Sequence, residues 1–366
     1  MTQISQLQLT QFRNIQQAHC QLAPSLNLFI GDNAAGKTSL IEAMWLLTTG
    51  RSFRASRSKE VIQLDKSEAT IFVEINSQQT TSTHRIATQK SQEQNLLRMD
   101  GQNIKGQSQI ASNLPLQLLT PESHKLLEEG PKARRNFMDW GCFHQEKAFI
   151  NFWRQFQRSL KQRNSALKQR LSLQMIQLWD DALISNALQI DQIRQAYLQQ
   201  LTPYLQEFCR ALMPELTTDV VCHYRSGWPK NTENLAELMQ QNLAKDQQLG
   251  HTQYGAHRAD IRFRFNGREA LQTLSRGQQK LFVCALLLAQ AKLHQTNSGE
   301  PVIMLIDDLP AELDQKHRLK LLQLLQELKI QHLITSTALE LIPILNPSAS
   351  KCWRIDQGQV QEIPIA

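Results

Sequence analysis

The sequence predicts an α/β nucleotide-binding head interrupted by a mostly helical insertion. Three observations carry that expectation. Gly31-Asp32-Asn33-Ala34-Ala35-Gly36-Lys37-Thr38 fits a phosphate-binding loop, and it stands between a short apolar run, Leu26 to Ile30, and a run with helical spacing, Lys37 to Leu47. Far along the chain, Val302 to Ile306 is a continuous apolar run ending on Asp307-Asp308, the pattern of a central parallel strand that delivers carboxylates at its C-terminal edge. Between them lies a Leu-spaced, Gln-rich middle without a nucleotide motif.

The loop has a physical logic. A triphosphate is a dense anion, so several backbone N–H groups must point at it, and glycines at 31 and 36 allow turns that a Cβ would block. Lys37 adds a positive charge at the outer phosphates, Thr38 offers a hydroxyl to Mg²⁺, and Ser39 follows in the first helical turn. The helix N-terminus then faces the anion. The bare pattern also occurs in chance loops; the strand before it and the helix after it favour the functional reading. Asp307 is the expected metal-side carboxylate and Asp308 the group that polarises water. Alone, the Asp pair would read as the solvated end of a buried strand.

Residues 78–106 alternate short strand-like runs with turns such as Asp100-Gly101, as in a peripheral β layer. Between Pro131 and Arg170 ten Lys or Arg face two carboxylates, Asp139 and Glu146. Within that stretch Phe149, Phe152, Trp153, Phe156, Leu160, Leu167 and Leu171 recur at helical spacing, with Arg154, Arg158, Lys161 and Lys168 on a neighbouring stripe. Such a helix buries one face and offers the other to a DNA backbone, with Arg134, Arg135 and Arg163 as further candidates. A solvated cationic face over a core of aromatics is the competing reading, and Trp153 is expected in that core. Leu171 to Leu212 reads as a helix pair or short antiparallel arm broken near Pro203 and Pro214, and Val220 to Lys230 as a strand and turn. His257 and Arg258 precede alternating Ile261, Phe263 and Phe265; a nucleotide- or DNA-facing strand edge and a structural ion pair are equally open for them.

Leu274-Ser275-Arg276-Gly277-Gln278-Gln279 opens a helical run, Lys280 to Leu293. Its hydroxyl and helix N-terminus form a second phosphate-binding end, although Ser275 is also an ordinary N-cap. The domain expectation follows: residues 1–115 and 250–366 form the nucleotide-binding lobe, and 116–249 a helical insertion that carries the basic helix.

Composition bounds the partners. A chain of 366 residues with 41% hydrophobic content can build a real core, and a net charge of +7 favours an anionic partner. No charged-then-apolar leader is visible, and Leu281 to Ala291 is too short to span a membrane, so a cytoplasmic protein without a membrane partner is expected. The six cysteines form no metal-like pairs and read as reduced thiols.

Taken together, the loop at 31–38, Leu-Ser-Arg-Gly-Gln at 274–278, Asp307-Asp308 and Glu312-Leu313-Asp314 resemble the ABC-type ATPase head of SMC-like DNA-repair proteins. Phe12-Arg13-Asn14, Thr120-Pro121-Glu122, the stretch Arg134 to Gly141, Lys161 to Asn164 and Gly255 to Asp260 narrow the likeness to the RecF family of bacterial recombination mediators, over essentially the whole chain. That resemblance implies an ABC/SMC-type P-loop ATPase head, lobe I, with an inserted, mostly helical lobe II or short arm. It implies two heads that sandwich two ATP molecules head to tail, with Ser275, Gly277 and Gln278 reaching the γ-phosphate of the partner subunit, Asp314 at the seam and Arg13 touching the nucleotide. It further implies binding of single- and double-stranded DNA at gaps and junctions, partners RecR and RecO, help in loading a recombinase, and roles in replication restart and SOS induction. Where most ABC ATPases carry Glu this chain has Asp308, whose shorter side chain implies slow, switch-like hydrolysis. Pro310 replaces the family's usual small or aliphatic residue and would stiffen the approach to Asp314. The usual switch His falls near Thr335-Ser336-Thr337, which holds none, and the Mg-linked Gln of the first lobe has no evident position. A transport-type ABC ATPase acting on a membrane or protein partner is the alternative; the 238 residues from Lys37 to Ser275 are more than a compact transport head would insert. A P-loop kinase would leave the Ser275 motif unexplained, and a long-armed SMC protein would need longer heptads.

Overall fold

The structure is a computed structural model that describes residues 2–55, 58–77 and 82–365. In chain order the first unit begins with β1 (Gln3–Phe12), β2 (Ile15–Gln21) and β3 (Leu26–Ile30), then the helix Lys37–Thr49. It continues with β4 (Glu68–Ser77), β5 (Ser82–Ser91), β6 (Asn95–Met99), β7 (Gln102–Asn103) and β8 (Leu116–Leu119). The second unit carries β9 (Val220–Arg225), β10 (Asp260–Phe265) and β11 (Arg268–Glu269). The chain then returns through β12 (Ile303–Ile306), β13 (Gln331–Ser336), β14 (Lys351–Asp356) and β15 (Gln359–Ile363).

The chain divides into residues 1–123 with 280–366, and residues 124–279. In the first unit an antiparallel sheet runs β2-β1-β4-β5-β6-β7, and the alternating segment at 82–103 forms its outer strands. The second sheet runs β15-β14-β3-β13-β12-β8, parallel from β14 through β8. The apolar runs at 26–30 and 303–306 are buried throughout, as expected of strands covered on both faces. The helix Lys37–Thr49 contacts strands of both sheets, and Leu40, Ile41, Met44 and Leu47 join Leu7, Val73, Leu305 and Leu333 in one core. Because β3, β12 and β13 run parallel, their carboxyl ends share one edge: Ile306 pairs with Ile334 and Ser336 with Ile30. That edge positions the site.

The second unit differs from the sequence expectation in three ways. Residues 116–123, expected in the insertion, belong to the first unit, because β8 pairs with β12. Residues 250–279 pack with the second unit, because β10 pairs along its whole length with β9. Asp180–Leu212 is also one helix of 33 residues with Pro203 inside it, rather than a pair broken there. Its buried seam, Leu183, Ala187, Ile190, Arg194, Tyr197, Leu201, Leu205 and Phe208, recurs every three or four residues, and this continuous burial offsets the lost N–H of Pro203. The antiparallel partner of this helix is Phe149–Lys168. The helix Pro131–Gln145 closes on it at Gly141, where a Cβ would lie 2.1 Å from the Tyr197 ring.

His332 lies near the start of β13, at the edge opposite the carboxyl ends, and its Nδ1 is 2.8 Å from the Ile330 carbonyl. It therefore takes no part in a switch near 335–337. Burial pushes its pKa down to about 4, whereas an unfolded His titrates near 6.5. The folded ring resists the proton, so its contribution is fully present above about pH 6.5 and is lost as pH falls toward 4. The loss amounts to roughly 3 kcal/mol. Urea melts between pH 7 and 4.5 are expected to show stability falling with acid, with a slope smaller by about one proton in His332→Gln; an unchanged slope would refute the assignment.

Candidate functional site

The loop between β3 and the helix Lys37–Thr49 is built from backbone contacts. Gly31, at φ 157°, lies so close to β14 that a Cβ would meet the Ile355 carbonyl oxygen at 2.1 Å. Gly36 has φ 125°, a conformation closed to other residues, and Ala34 sits at φ 66°. Asn14 clamps the turn from outside. Its Nδ2 donates to the carbonyls of Ala34 and Ala35 at 3.2 and 3.0 Å, and its Oδ1 accepts from Ser39 Oγ at 3.1 Å. Ser39 is thus committed to Asn14. Lys37 Nζ donates to the carbonyls of Gly31 and Asp32 at 2.7 and 2.8 Å. Burial lowers the Lys37 pKa, opposed by the charges of Asp308, Asp307 and Asp32.

Opposite the loop, Asp307 Oδ1 accepts hydrogen bonds from Thr38 Oγ1 at 3.0 Å and Thr335 Oγ1 at 2.8 Å. Burial raises the Asp307 pKa, and those two hydroxyls work against the shift. Thr335 Oγ1 also accepts from the Asp308 N–H at 2.7 Å. Asp308 itself sits in the left-handed region at φ 51°, ψ 56°, and its carboxylate makes no hydrogen bond among the described residues. Pro310 falls in the first turn of the helix Leu309–Glu312, where a missing N–H costs nothing.

A cavity of about 820 Å³ joins Asn33, Lys37, Thr38, Asp307, Asp308 and Thr337. Gln63 also lines it, and Gln63 Oε1 is buried with no hydrogen-bond partner. Leu64 at its rim is 84% exposed, an apolar surface open to a ring. Convergent N–H groups, an ammonium, a carboxylate–hydroxyl pair and an unpartnered amide oxygen suit a phosphate chain with a hard divalent cation. Among the described residues no cluster of three His, Cys, Asp or Glu could hold a metal, and no helix is long and apolar enough to cross a membrane.

Several expected residues are placed elsewhere or hold other partners. Arg13 borders the cavity, but its guanidinium grips the buried Glu42 at 3.0 and 2.6 Å. Arg54 joins it at 3.7 Å from Glu42. Asp314 caps the helix Gln315–Glu327 by accepting from the His317 N–H at 2.9 Å, a bond that lowers its pKa. Ser275, Gly277 and Gln278 begin the helix Arg276–Ser298 and lie in the second unit. Ser275 Oγ accepts from Gln278 N–H at 3.3 Å while Gln278 Oε1 accepts from Ser275 N–H at 3.1 Å, a reciprocal capping box. Nothing stands within 4 Å of a Cβ built on Gly277. Sequence reasoning missed Asn14, Glu42, Gln63 and Thr335 as individual groups. Asn14 was visible only as a neighbour of Arg13, and Gln63 had no motif around it.

The cations expected to bind DNA divide sharply. Arg154, Arg158 and Lys161 are exposed. Arg134, Arg135 and Arg163 are corrected to structural roles. Arg134 forms a forked ion pair with Asp260 at 2.9 and 3.0 Å, Arg135 donates to the Ala259 carbonyl at 2.7 Å, and burial lowers the Arg135 pKa. Arg163 is 0% exposed and holds Asp180 at 2.6 Å and Asp246 at 2.7 Å. Trp153, expected in the core, is 36% exposed.

The chain matches the family model described as RecF/RecN/SMC N terminal domain over residues 3–351. It is 58% identical over 362 residues to the DNA replication and repair protein RecF of Hydrogenovibrio crunogenus, covering 99% of both chains. This chain belongs to the RecF family. The RecF of Pseudomonas aeruginosa is 40% identical over 333 residues, 91% of this chain and 89% of that one. Among solved structures, the recombination mediator protein RecF-ATP in the RecFOR pathway superposes with a TM-score of 0.88 at 24% identity, covering 99% of this chain and 98% of that one. An SmcHead bound to the C-winged helix domain of ScpA gives 0.61 at 14% identity, covering 99% and 97%. The fold is therefore the ABC/SMC-type ATPase head.

Arg163→Ala would leave the buried Asp246 and the half-buried Asp180 without their cation, and a loss of about 3–5 kcal/mol in unfolding free energy is expected. Chemical denaturation checks it; a variant as stable as the parent would show the triad to be dispensable.

Proposed function

We propose that this protein is an ATP-controlled DNA-binding protein of recombinational repair, in which ATP joins two copies head to tail and the closed dimer grips DNA. One observation supports it above the others: Thr38 and Asp307, 269 residues apart in sequence, meet at 3.0 Å beside a loop shaped for phosphates. The 58% identity to a DNA replication and repair protein supplies the biological class.

The loop N–H groups and Lys37 bind the outer phosphates, and Leu64 offers an apolar surface to the base. Thr38, Asp307 and Gln63 would hold Mg²⁺, which neutralises charge on the phosphates when bound. Asp308 orients the attacking water from its αL position. Its carboxylate is one methylene shorter than Glu, so hydrolysis is slow and serves as a timer rather than a source of turnover. Ser275, Gly277 and Gln278 present an exposed helix N-terminus that suits the γ-phosphate held by a second copy, with Asp314 near the seam. DNA meets the exposed cations Arg154, Arg158 and Lys161, with single-stranded, duplex and junction substrates all within reach of backbone charge. RecR and RecO are the proposed protein partners, with recombinase loading at gaps, replication restart and SOS induction as the outcome.

Anisotropy of a labelled gapped duplex, with and without Mg-ATP at two salt concentrations, tests the reading: ATP-dependent, salt-sensitive binding is expected, and ATP binding that leaves DNA affinity unchanged would reject it. Lys37→Met is expected to abolish ATP-induced dimerisation in light scattering, because the loop loses its charge; undiminished dimerisation would sink the role. Asp308→Ala is expected to retain ATP and accumulate as the closed dimer with turnover at least tenfold lower, since removing a water-orienting group costs about 10²–10⁴ in rate. Parental turnover in that variant would exclude Asp308 as that group.

A further inference from the structure

The second unit holds an open groove of about 1200 Å³ that no nucleotide motif touches. Tyr224, Trp228 and Tyr254 line it, interleaved with Arg225, Lys230 and Arg258. Arg225, Lys230 and Arg258 are exposed, and none of the three side chains makes a hydrogen bond or ion pair among the described residues. Trp228 and Tyr254 are half-buried, so each is seated in the fold and still presents ring surface. The one carboxylate in the lining, Asp260, is already neutralised by the forked pair with Arg134. Arg262 adds a further cation, paired with Glu269 at 3.3 Å.

The walls are fixed in advance. Gly227 lies at φ 97° so close to the facing strand of chain that a Cβ would be 2.3 Å from the Gly255 carbonyl oxygen and 2.7 Å from the Ala259 nitrogen. Trp228 and Tyr254 are the neighbours of these two touching glycines. Pro229 restricts Trp228 further. The segment 252–260 is pinned by four buried or half-buried arginines: Arg163 bonds Thr252, Arg194 the Ala256 carbonyl, Arg135 the Ala259 carbonyl and Arg134 the Asp260 carboxylate. Tyr224 is anchored by its hydroxyl, which donates to Asp191 at 2.7 Å.

We propose that this groove binds an unpaired stretch of DNA, stacking bases on Trp228 and Tyr254 while Arg225, Lys230 and Arg258 meet the phosphates. Cations alone would suit any polyanion. Preset ring faces beside them suit bases that are free to unstack, because every base has a π-face and a duplex hides it. The inference rests on the DNA-binding reading above and adds to it a distinct place and a stacking mode of binding.

The test uses anisotropy of a labelled oligodeoxythymidine and, separately, of a blunt duplex, on the full chain with Mg-ATP. Trp228→Ala is expected to weaken oligodeoxythymidine binding about tenfold or more while duplex affinity is retained, and Trp228→Phe to restore most of it. Arg225→Ala and Arg258→Ala, at exposed positions, are each expected to lower the single-strand salt slope by about 0.7. An abasic strand of equal charge should compete at least tenfold less well than oligodeoxythymidine. Equal competition, equal losses on both ligands, or displacement by a polyglutamate peptide would overturn the stacking groove in favour of a general anion or acidic-protein surface. Wild-type binding of duplex but not of oligodeoxythymidine would overturn this inference alone; binding of neither would overturn the DNA reading as well.

Discussion

The carboxylate of Asp307 ties the first unit together at its working edge. It is buried at the end of β12, where ionisation is costly, yet it takes hydrogen bonds from Thr38 on the loop helix and from Thr335 on the neighbouring strand. Three segments distant in sequence therefore share one charged oxygen. Moving any one of them would leave a buried carboxylate short of a donor, a penalty of about 1–3 kcal/mol or more for a charged group. The loop cannot drift from the strand edge. Asn14 performs the same service from outside, spanning the carbonyls of Ala34 and Ala35 and the hydroxyl of Ser39.

This explains how much the sequence disclosed. The loop and the Asp pair were legible because each combines a short motif with an apolar run of strand length, and parallel strands converge at their carboxyl ends. Thr335 was legible only as a position, since nothing local distinguishes a hydroxyl that donates to Asp307 from one that merely ends a strand. Gln63 was hidden for a related reason: its amide oxygen stands out only by lacking a partner, a property of the assembled cavity. The long helix Asp180–Leu212 was misread because Pro203 breaks a helix by local propensity, while the buried seam that overrides it is tertiary.

The six cations at 131–170 expected to meet DNA fall into two groups: Arg154, Arg158 and Lys161 are exposed, and Arg134, Arg135 and Arg163 are internal ties. Arg134, Arg135 and Arg163, together with Arg194, converge on residues 252–260 through one carboxylate, a hydroxyl and two backbone carbonyls. A sequence shows that a cation is present but not whether its counter-ion lies far along the chain. Arg163 and Asp246, 83 residues apart, are such a pair, at 2.7 Å. The fixed segment in turn carries Tyr254 and Arg258, so the buried cations determine where the exposed ones stand.

Asp308 shows how backbone strain and chemistry can coincide at one residue. Its αL conformation is one that Asp tolerates better than most residues, and the bond from its N–H to Thr335 keeps it there. A Glu at the same backbone position would carry its carboxylate one carbon further into the cavity. With Asp, the carboxylate stays closer to the strand edge, beside Asp307 and without a hydrogen bond among the described residues. The adjacent charges of Asp307 and Lys37 then govern its field, and reach is given up for a fixed position. On the role proposed for Asp308, a water-orienting group that is fixed but short favours holding the nucleotide over consuming it, the balance that a binding switch requires.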